Sequence, residues 1–387
     1  MDNLNVVIIG AGIGGLTTGI AMQQAGYTVE IYDRVRELRP AGAGISLWSN
    51  GVKVLNRLGL GSKIAAIGGE MNRMAYRSHT DELLSDIDLT PLIEQVGQRP
   101  YPVARTDLQG MLRNVFGADK VHLQMRCVAV EQDEHSATAI FEDGTRVRGD
   151  LVVGADGVHS CLRTHVLGYQ ASPRFANYVN WNGLVEANPA MGDEDAWILY
   201  VGDARRASWM PVGEKRFYYF FGCPMVAGTT VEPAHRQAEL AKIFAGWPEP
   251  VQTLIEQLDP LQTNRLEISD LDPLEALVKG RVVLVGDSGH ATTPTLGQGG
   301  CQAMEDAEIL TRYLLTTNIS VADALKRYEA ARKERTAKLT LKARKRTATI
   351  YGQDPAATAQ WYDEMRAEKP SDVTDAIAKI ILGGPLG

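Results

Sequence analysis

The sequence predicts an α/β fold: a Rossmann-like domain on a parallel sheet, a second α+β domain built on an antiparallel sheet, and a long C-terminal helix. Three observations carry that prediction. The first is Val6-Val7-Ile8-Ile9-Gly10-Ala11-Gly12-Ile13-Gly14-Gly15, a charge-free β-branched run leading into closely spaced glycines. The second is a pair of similar runs far downstream, Leu151-Val152-Val153-Gly154-Ala155-Asp156-Gly157 and Arg281-Val282-Val283-Leu284-Val285-Gly286-Asp287. The third is a change to long alternating strands between about Arg174 and Pro224. Uninterrupted apolar runs suit strands buried on both faces of a parallel sheet, and alternation suits a sheet with two unlike faces.

Taken in order, residues 1–35 read as strand, helix 15–25 and strand Thr28–Tyr32, ending in Asp33. Glu37 to Trp48 form a loop rich in glycine, which lets a flat ligand approach backbone. Val52, Leu55, Leu58 and Leu60 place one helix over 50–67. The stretch from Met71 to Leu92 alternates as strands. A helix starts near Arg105, with Thr106 or Asp107 as its cap. Strands follow at Val121–Leu123, Cys127–Gln132 and Ala137–Phe141, the last closed by the turn Glu142-Asp143-Gly144-Thr145. The alternating region supplies strands Tyr178–Glu186, Ala196–Val201, Arg206–Val212 and Arg216–Cys223. Helices are expected at 233–246, 248–258, 299–316 and 321–350. The first domain is therefore discontinuous: 1–70, 100–173 and 275–320, with the second over 71–99 and 174–274 and a C-terminal helical segment over 321–387.

Composition excludes several function classes. The 387 residues are 44% hydrophobic and 22% charged, with a net charge of -7. That is the profile of a globular protein with a large core. An acidic balance argues against nucleic acid or an anionic membrane as main partner. No window reaches the roughly 20 apolar residues of a membrane span. The first strand begins almost at Met1, which leaves no room for a secretory leader. Cys127, Cys161, Cys223 and Cys301 lack metal-ligand or redox-pair spacing, so we expect reduced thiols, a cytoplasmic location and no metal site.

The chemistry concentrates at strand ends. Gly10, Gly12 and Gly15 fit G-x-G-x-x-G: the first for a tight turn, the second for approach of a pyrophosphate, the third for helix–strand packing. The helix that follows aims its positive end at the phosphates, and Asp33 suits ribose hydroxyls. The bland alternative is a tight turn with nothing bound. Asp156-Gly157 and Gly286-Asp287 also end buried strands, where open α/β sheets bind ligands; a single such aspartate is more often a cap. Pro294-Thr295-Leu296-Gly297-Gln298-Gly299-Gly300 then leads into a helix whose N–H groups suit a ring that becomes anionic.

With these motifs the chain resembles, over nearly its whole length, the single-component FAD-dependent aromatic monooxygenases of the para-hydroxybenzoate hydroxylase-like class. The resemblance implies bound FAD and a transient NADH or NADPH, since only one dinucleotide fingerprint is present. It assigns the pyrophosphate to Gly10, Gly12, Ile13, Gly14 and Gly15, and the adenosine ribose to Asp33 with Arg34. Arg105 goes to the phosphates, Asp156-Gly157 to FAD and nicotinamide, and Gly286-Asp287 to the ribityl chain. Ser46, Cys127, Gly297, Gln298, Gly299 and Gly300 complete the expected cofactor set. The implied chemistry is formation of a flavin hydroperoxide from molecular oxygen, followed by transfer of its distal oxygen to substrate.

Tyr178-Val179-Asn180-Trp181-Asn182-Gly183, Arg206, the run Arg216 to Phe221, the loop Thr293 to Gly300 and the C-terminal Gly383-Gly384-Pro385-Leu386-Gly387 narrow the resemblance to bacterial FAD-dependent urate hydroxylases. There, residues matching Asn180, Arg206 and Tyr218 face the purine. Arg206 and Tyr218 are the expected catalytic pair, and Asn180, Thr295 and Gly297 further substrate contacts. The pattern departs at Thr295, where the resemblance implies an aspartate. This position varies among flavin hydroxylases, so salicylate-like and hydroxypyridine carboxylate substrates stay open, as does a flavin-binding reductase without hydroxylation.

Each substrate residue also has a structural alternative. Arg206 would pair with surface acids, Asn180 would end a sheet, and Tyr218 would be core with its hydroxyl at the rim. Phe217 and Tyr219 alternate with Tyr218 and face the other side. His290 is expected to be structural and Cys301 a small buried residue. The basic cluster Lys338, Lys342, Arg344, Lys345 and Arg346 reads as a solvated face or an intersubunit surface of a monomer or homodimer.

Overall fold

The computed structural model describes residues 3–38 and 42–386. Arg39, Pro40 and Ala41 of the glycine-rich loop, and Gly387 of the C-terminal run, lie outside the described residues. The apolar strands form one six-stranded sheet in the order Val278–Lys279, Val282–Leu284, Leu151–Gly154, Asn5–Ile9, Thr28–Tyr32, Val121–His122. All its pairings are parallel except that of the first two strands. Val6, Val7, Ile8 and Ile9 are all buried, as a strand covered on both faces requires. Because successive strands leave Asn5–Ile9 on opposite sides, a crevice opens at its carboxyl end.

The second sheet has seven strands in the order Asn264–Asp270, Arg174–Glu186, Arg216–Pro224, Arg205–Val212, Ala196–Gly202, Arg73–Ser78, Leu83–Asp88. It is mixed rather than purely antiparallel, because Ala196–Gly202 pairs in parallel with Arg73–Ser78. That pairing joins strands over a hundred residues apart, beyond the reach of local periodicity. Its two faces differ as the alternation requires. Trp181, Trp209, Phe217, Tyr219 and Phe221 bury one face against helices Arg236–Ile243 and Glu249–Gln257. Tyr218 and Phe220 pack toward the first sheet's core.

Four expected elements change, the first being the glycine-rich loop, where Gly44–Leu47 is a strand paired antiparallel with Tyr101–Ala104. The helix over 50–67 is two helices, Ser49–Arg57 and Gly61–Ile67, broken where Gly59 adopts φ +74°. The stretch after Asp88 is helix Thr90–Val96 rather than strand. Helix Arg105–Phe116 has Ala104 at its N-cap, so neither Thr106 nor Asp107 caps it. Asp107 instead pairs with Arg216 at 2.6 Å, tying this helix to the second sheet.

Helix Val321–Ile350 buries Tyr328, Arg332, Thr336, Thr340, Ala343, Thr347 and Ile350, a single stripe at helical period. At 30 residues it is about 45 Å long and so links the core under the first sheet to the second sheet. Its basic cluster is not wholly solvated: Arg344 pairs with Asp270 at 2.9 Å and Asp272 at 2.7 Å, and Arg346 lies 4.4 Å over the Trp361 ring. Helices Pro355–Ala367 and Pro370–Leu382 complete the C-terminal segment. No helix among the described residues is long and apolar enough to cross a membrane.

Candidate active site

The crevice at the carboxyl ends of the parallel strands is a cleft of about 580 Å³. Its walls bring together Gly10, Gly12, Ile13 and Gly14, then Asp33 and Arg34, Arg105, Cys127, Asp156-Gly157, Gly286-Asp287 and Gly299-Gly300. Three glycines have separable physical roles. Gly10 sits at φ +111°, and a β-carbon there would lie 2.2 Å from the Ala155 carbonyl oxygen. Gly15 is a packing glycine outside the cleft wall, since a β-carbon would lie 1.9 Å from the Gly10 oxygen. Gly12 has nothing within 4 Å, so its bareness serves whatever enters the cleft.

Helix Ile13–Gln24 starts at Gly12 with no side-chain cap and no acid in its first turn. Its first N–H groups therefore remain available to an anion. Helix Gly299–Leu314 is likewise uncapped by any side chain. Asp33 braces the turn, accepting from Ala11 N–H at 2.7 Å and Val35 N–H at 3.0 Å, and still has lone pairs for a ligand. Gln109 fixes the turn from behind by donating to the Ala11 carbonyl at 2.8 Å. Asp156 accepts from Cys161 N–H through Oδ2, while its buried Oδ1 has no partner. A buried acceptor without a donor costs about 1–3 kcal/mol, so this atom is matched to a ligand hydroxyl or N–H. An uncapped helix end, a bare Gly12 and an orphaned Asp156 oxygen together fit a dinucleotide such as FAD.

Behind the cleft wall lies a buried charge network that the sequence reading did not find. Arg332 is 1% exposed and donates to Asp306 at 2.7 Å, Glu305 at 2.6 Å and Gln302 at 2.7 Å. Asp306 also accepts from Gly286 N–H at 2.7 Å and bonds His290 at 2.6 Å. His290 is thus structural. Burial alone would raise the Asp306 carboxyl, but His290 and Arg332 outweigh it and hold the group at about 2. Gln298 turns its side chain into this network, toward Asn50 and Gln302, and away from the cleft wall. Ser46 and Gly297 also lie off the cleft wall and close together: a β-carbon on Gly297 would meet Ser46 Oγ at 2.7 Å.

The expected substrate residues gather on one face of the second sheet. Asn180, Gly222 and Arg206 are direct neighbours across three strands, and Asn182, Phe220 and Ser208 form the next row. Arg206 is 5% exposed, lies 5.1 Å over the Phe220 ring, and pairs with no carboxylate among the described residues. Its Nε is buried without a hydrogen-bond partner. Asn180 accepts from Asn182 at 2.8 Å, and Asn182 accepts from Ala43 N–H at 2.8 Å, linking this sheet to the glycine-rich loop. Tyr218 packs its ring against Gly44. Burial pushes its hydroxyl up to about 12, against the pull of Arg105 and Arg206, so it is a neutral donor. Thr295 stands apart: its hydroxyl donates to the Ala343 carbonyl at 2.9 Å and so belongs to helix Val321–Ile350.

Comparison with known proteins gives the family of the chain. Residues 3–343 match the FAD binding domain family. The chain is 48% identical over 386 residues to an FAD-dependent urate hydroxylase of Mycolicibacterium vanbaalenii, covering 99% of this chain and 98% of that protein. It is 46% identical over 385 residues to one from Klebsiella pneumoniae subsp. pneumoniae, covering 99% and 100%. The crystal structure of Klebsiella pneumoniae HpxO complexed with FAD and uric acid superposes with a TM-score of 0.96 at 45% identity, over 99% of this chain and 98% of that one. A salicylate hydroxylase substrate complex, at 23% identity and a TM-score of 0.79, shares the fold, covering 100% and 99%.

Proposed function

The chain belongs to the FAD binding domain family, among the FAD-dependent urate hydroxylases, and from that premise we propose that it hydroxylates urate to 5-hydroxyisourate. Bound FAD supplies the redox chemistry that activates molecular oxygen, with NADH or NADPH as its transient reductant. Gly10 to Gly14 and the helix end behind them hold the pyrophosphate, Asp33 the adenosine ribose, Arg105 the phosphates and Asp287 the ribityl chain. The uncapped N–H groups at Gly299 and Gly300 would favour negative charge on a flavin ring held in the cleft.

The substrate is read by the second sheet. Urate is a planar anion at neutral pH, and Arg206 offers it a fixed, permanently charged fork. Tyr218 donates from its neutral hydroxyl, and Asn180 adds an amide donor. Thr295, with its hydroxyl held by Ala343, contributes through its position in the loop rather than its oxygen. The observation that carries this reading is the buried Arg206 guanidinium without a carboxylate. We place the enzyme in the cytoplasm, with urate and oxygen as its small-molecule partners.

The test is NADH or NADPH consumption by the flavin-loaded protein with urate, alongside direct detection of 5-hydroxyisourate. Urate should stimulate consumption well above background with matching product. Turnover of salicylate or a hydroxypyridine carboxylate, with urate at background, would replace the substrate and leave the flavin chemistry standing.

A further inference from the structure

The long C-terminal helix ends inside the substrate site. Tyr351, its C-cap residue, is 4% exposed and stacks on Tyr178 with ring centroids 3.9 Å apart and planes 19° apart. Its hydroxyl lies over Gly222, where an added β-carbon would meet Oη at 2.1 Å. Gly222 is the central residue of the row Asn180, Gly222, Arg206. A missing side chain in the middle strand therefore makes a notch between two substrate residues, and the Tyr351 hydroxyl occupies it. Tyr178, two residues before Asn180 on the same face, is fully buried, and among the described residues its hydroxyl faces that of Tyr351 without a well-formed hydrogen bond.

We propose that Tyr351 and Tyr178 form the end wall of the substrate site and bind carbonyl oxygens of urate, fixing both the length of the site and the orientation of the purine. The inference rests on the urate reading and adds two specificity residues to it. Three features support direct contact over a purely structural stack. The Tyr178 and Tyr351 hydroxyls face each other, and a hydroxyl pair can share only one hydrogen bond, which leaves one buried O–H in need of an acceptor. Gly222 leaves room for a hydroxyl between Asn180 and Arg206, and strand pairing does not call for glycine there, since a glycine inside a strand weakens it and marks a close approach. Burial also pushes the Tyr351 hydroxyl up to about 12, so it stays protonated and donates to an anion's oxygens.

Tyr351→Phe and Tyr178→Phe keep both rings and the stack, and remove one hydroxyl each. In FAD-loaded protein, KM and the directly titrated Kd for urate should rise about tenfold or more in at least Tyr351→Phe, with kcat changed little. The same variant should lose discrimination between urate and a purine lacking one of its carbonyl oxygens. Unchanged urate Kd in both variants, with wild-type FAD content and thermal midpoint, overturns the inference. If either variant fails to load FAD, the wild-type protein decides by its ligand preference: equal Kd for urate and for each purine lacking one of its carbonyl oxygens overturns the end wall. Wild-type protein that binds no urate at all overturns the functional reading instead.

Discussion

Two buried arginines in this molecule live under opposite rules. Arg332 is 1% exposed and meets Asp306, Glu305 and Gln302 within 2.7 Å. Arg206 is 5% exposed and meets an aromatic ring but no carboxylate among the described residues. A buried cation is costly to desolvate unless paired, so a fold that leaves one unpaired holds a place for an anion. Arg332 is therefore part of the scaffold, and Arg206 part of a site. The contrast extends to their surroundings. The Arg332 network fixes Gly286 through Asp306 and holds Gln298 through Gln302, so it shapes the cofactor cleft from behind. Arg206 shapes nothing by pairing and is free to recognise.

The largest effect belongs to the scaffold. Arg332→Gln removes the one cation shared by buried Asp306 and Glu305, leaving them His290 and Arg335 as partners, and should destabilise the protein by about 3–5 kcal/mol, read as a fall in the urea midpoint. A stable variant would dissolve the contrast. Arg206→Gln should do the reverse: kcat/KM for urate falls by roughly 2–5 kcal/mol in activation free energy, while FAD content and thermal midpoint hold. Loss of flavin from that variant would make Arg206 structural too.

Acid should expose the same network. The Asp306 value near 2 lies below its ordinary 3.8, so its stabilisation is complete above about pH 4 and fades as pH falls toward 2. The difference is worth about 2 kcal/mol. Urea midpoints between pH 5 and 2 should therefore fall more steeply in wild type than in Asp306→Asn, and parallel slopes would contradict this. The smallest effect separates the glycines. Gly12→Ala should fold normally and weaken FAD binding about tenfold, because its β-carbon enters only the cleft. Gly15→Ala, facing the Gly10 oxygen at 1.9 Å, should instead lower stability.

What the sequence displayed and what it hid follow from the range of the interactions. The glycine turn, the strand-end aspartates and the helix Val321–Ile350 are local patterns, and they were legible as such. The parallel pairing of Ala196–Gly202 with Arg73–Ser78 depends on contacts across the chain, which periodicity does not encode. The break at Gly59 was a readable signal, since glycine inside an apolar helical pattern marks a possible stop. The partners of Asp306, Arg332 and Gln298 were not readable, because charged residues in a helical stripe look solvated until the neighbouring helix is placed. Tyr351 was hidden for the same reason: nothing near it in sequence announces that it ends over Gly222.

The central claim is that the counterion of Arg206 is the substrate. The direct measurement is the thermal midpoint of FAD-loaded wild type and Arg206→Gln across a urate titration. A ligand that binds only the folded state raises the midpoint with the logarithm of its concentration over its Kd. The account predicts a urate-dependent rise in wild type that is absent or strongly reduced in Arg206→Gln. An equal rise in both proteins would contradict it.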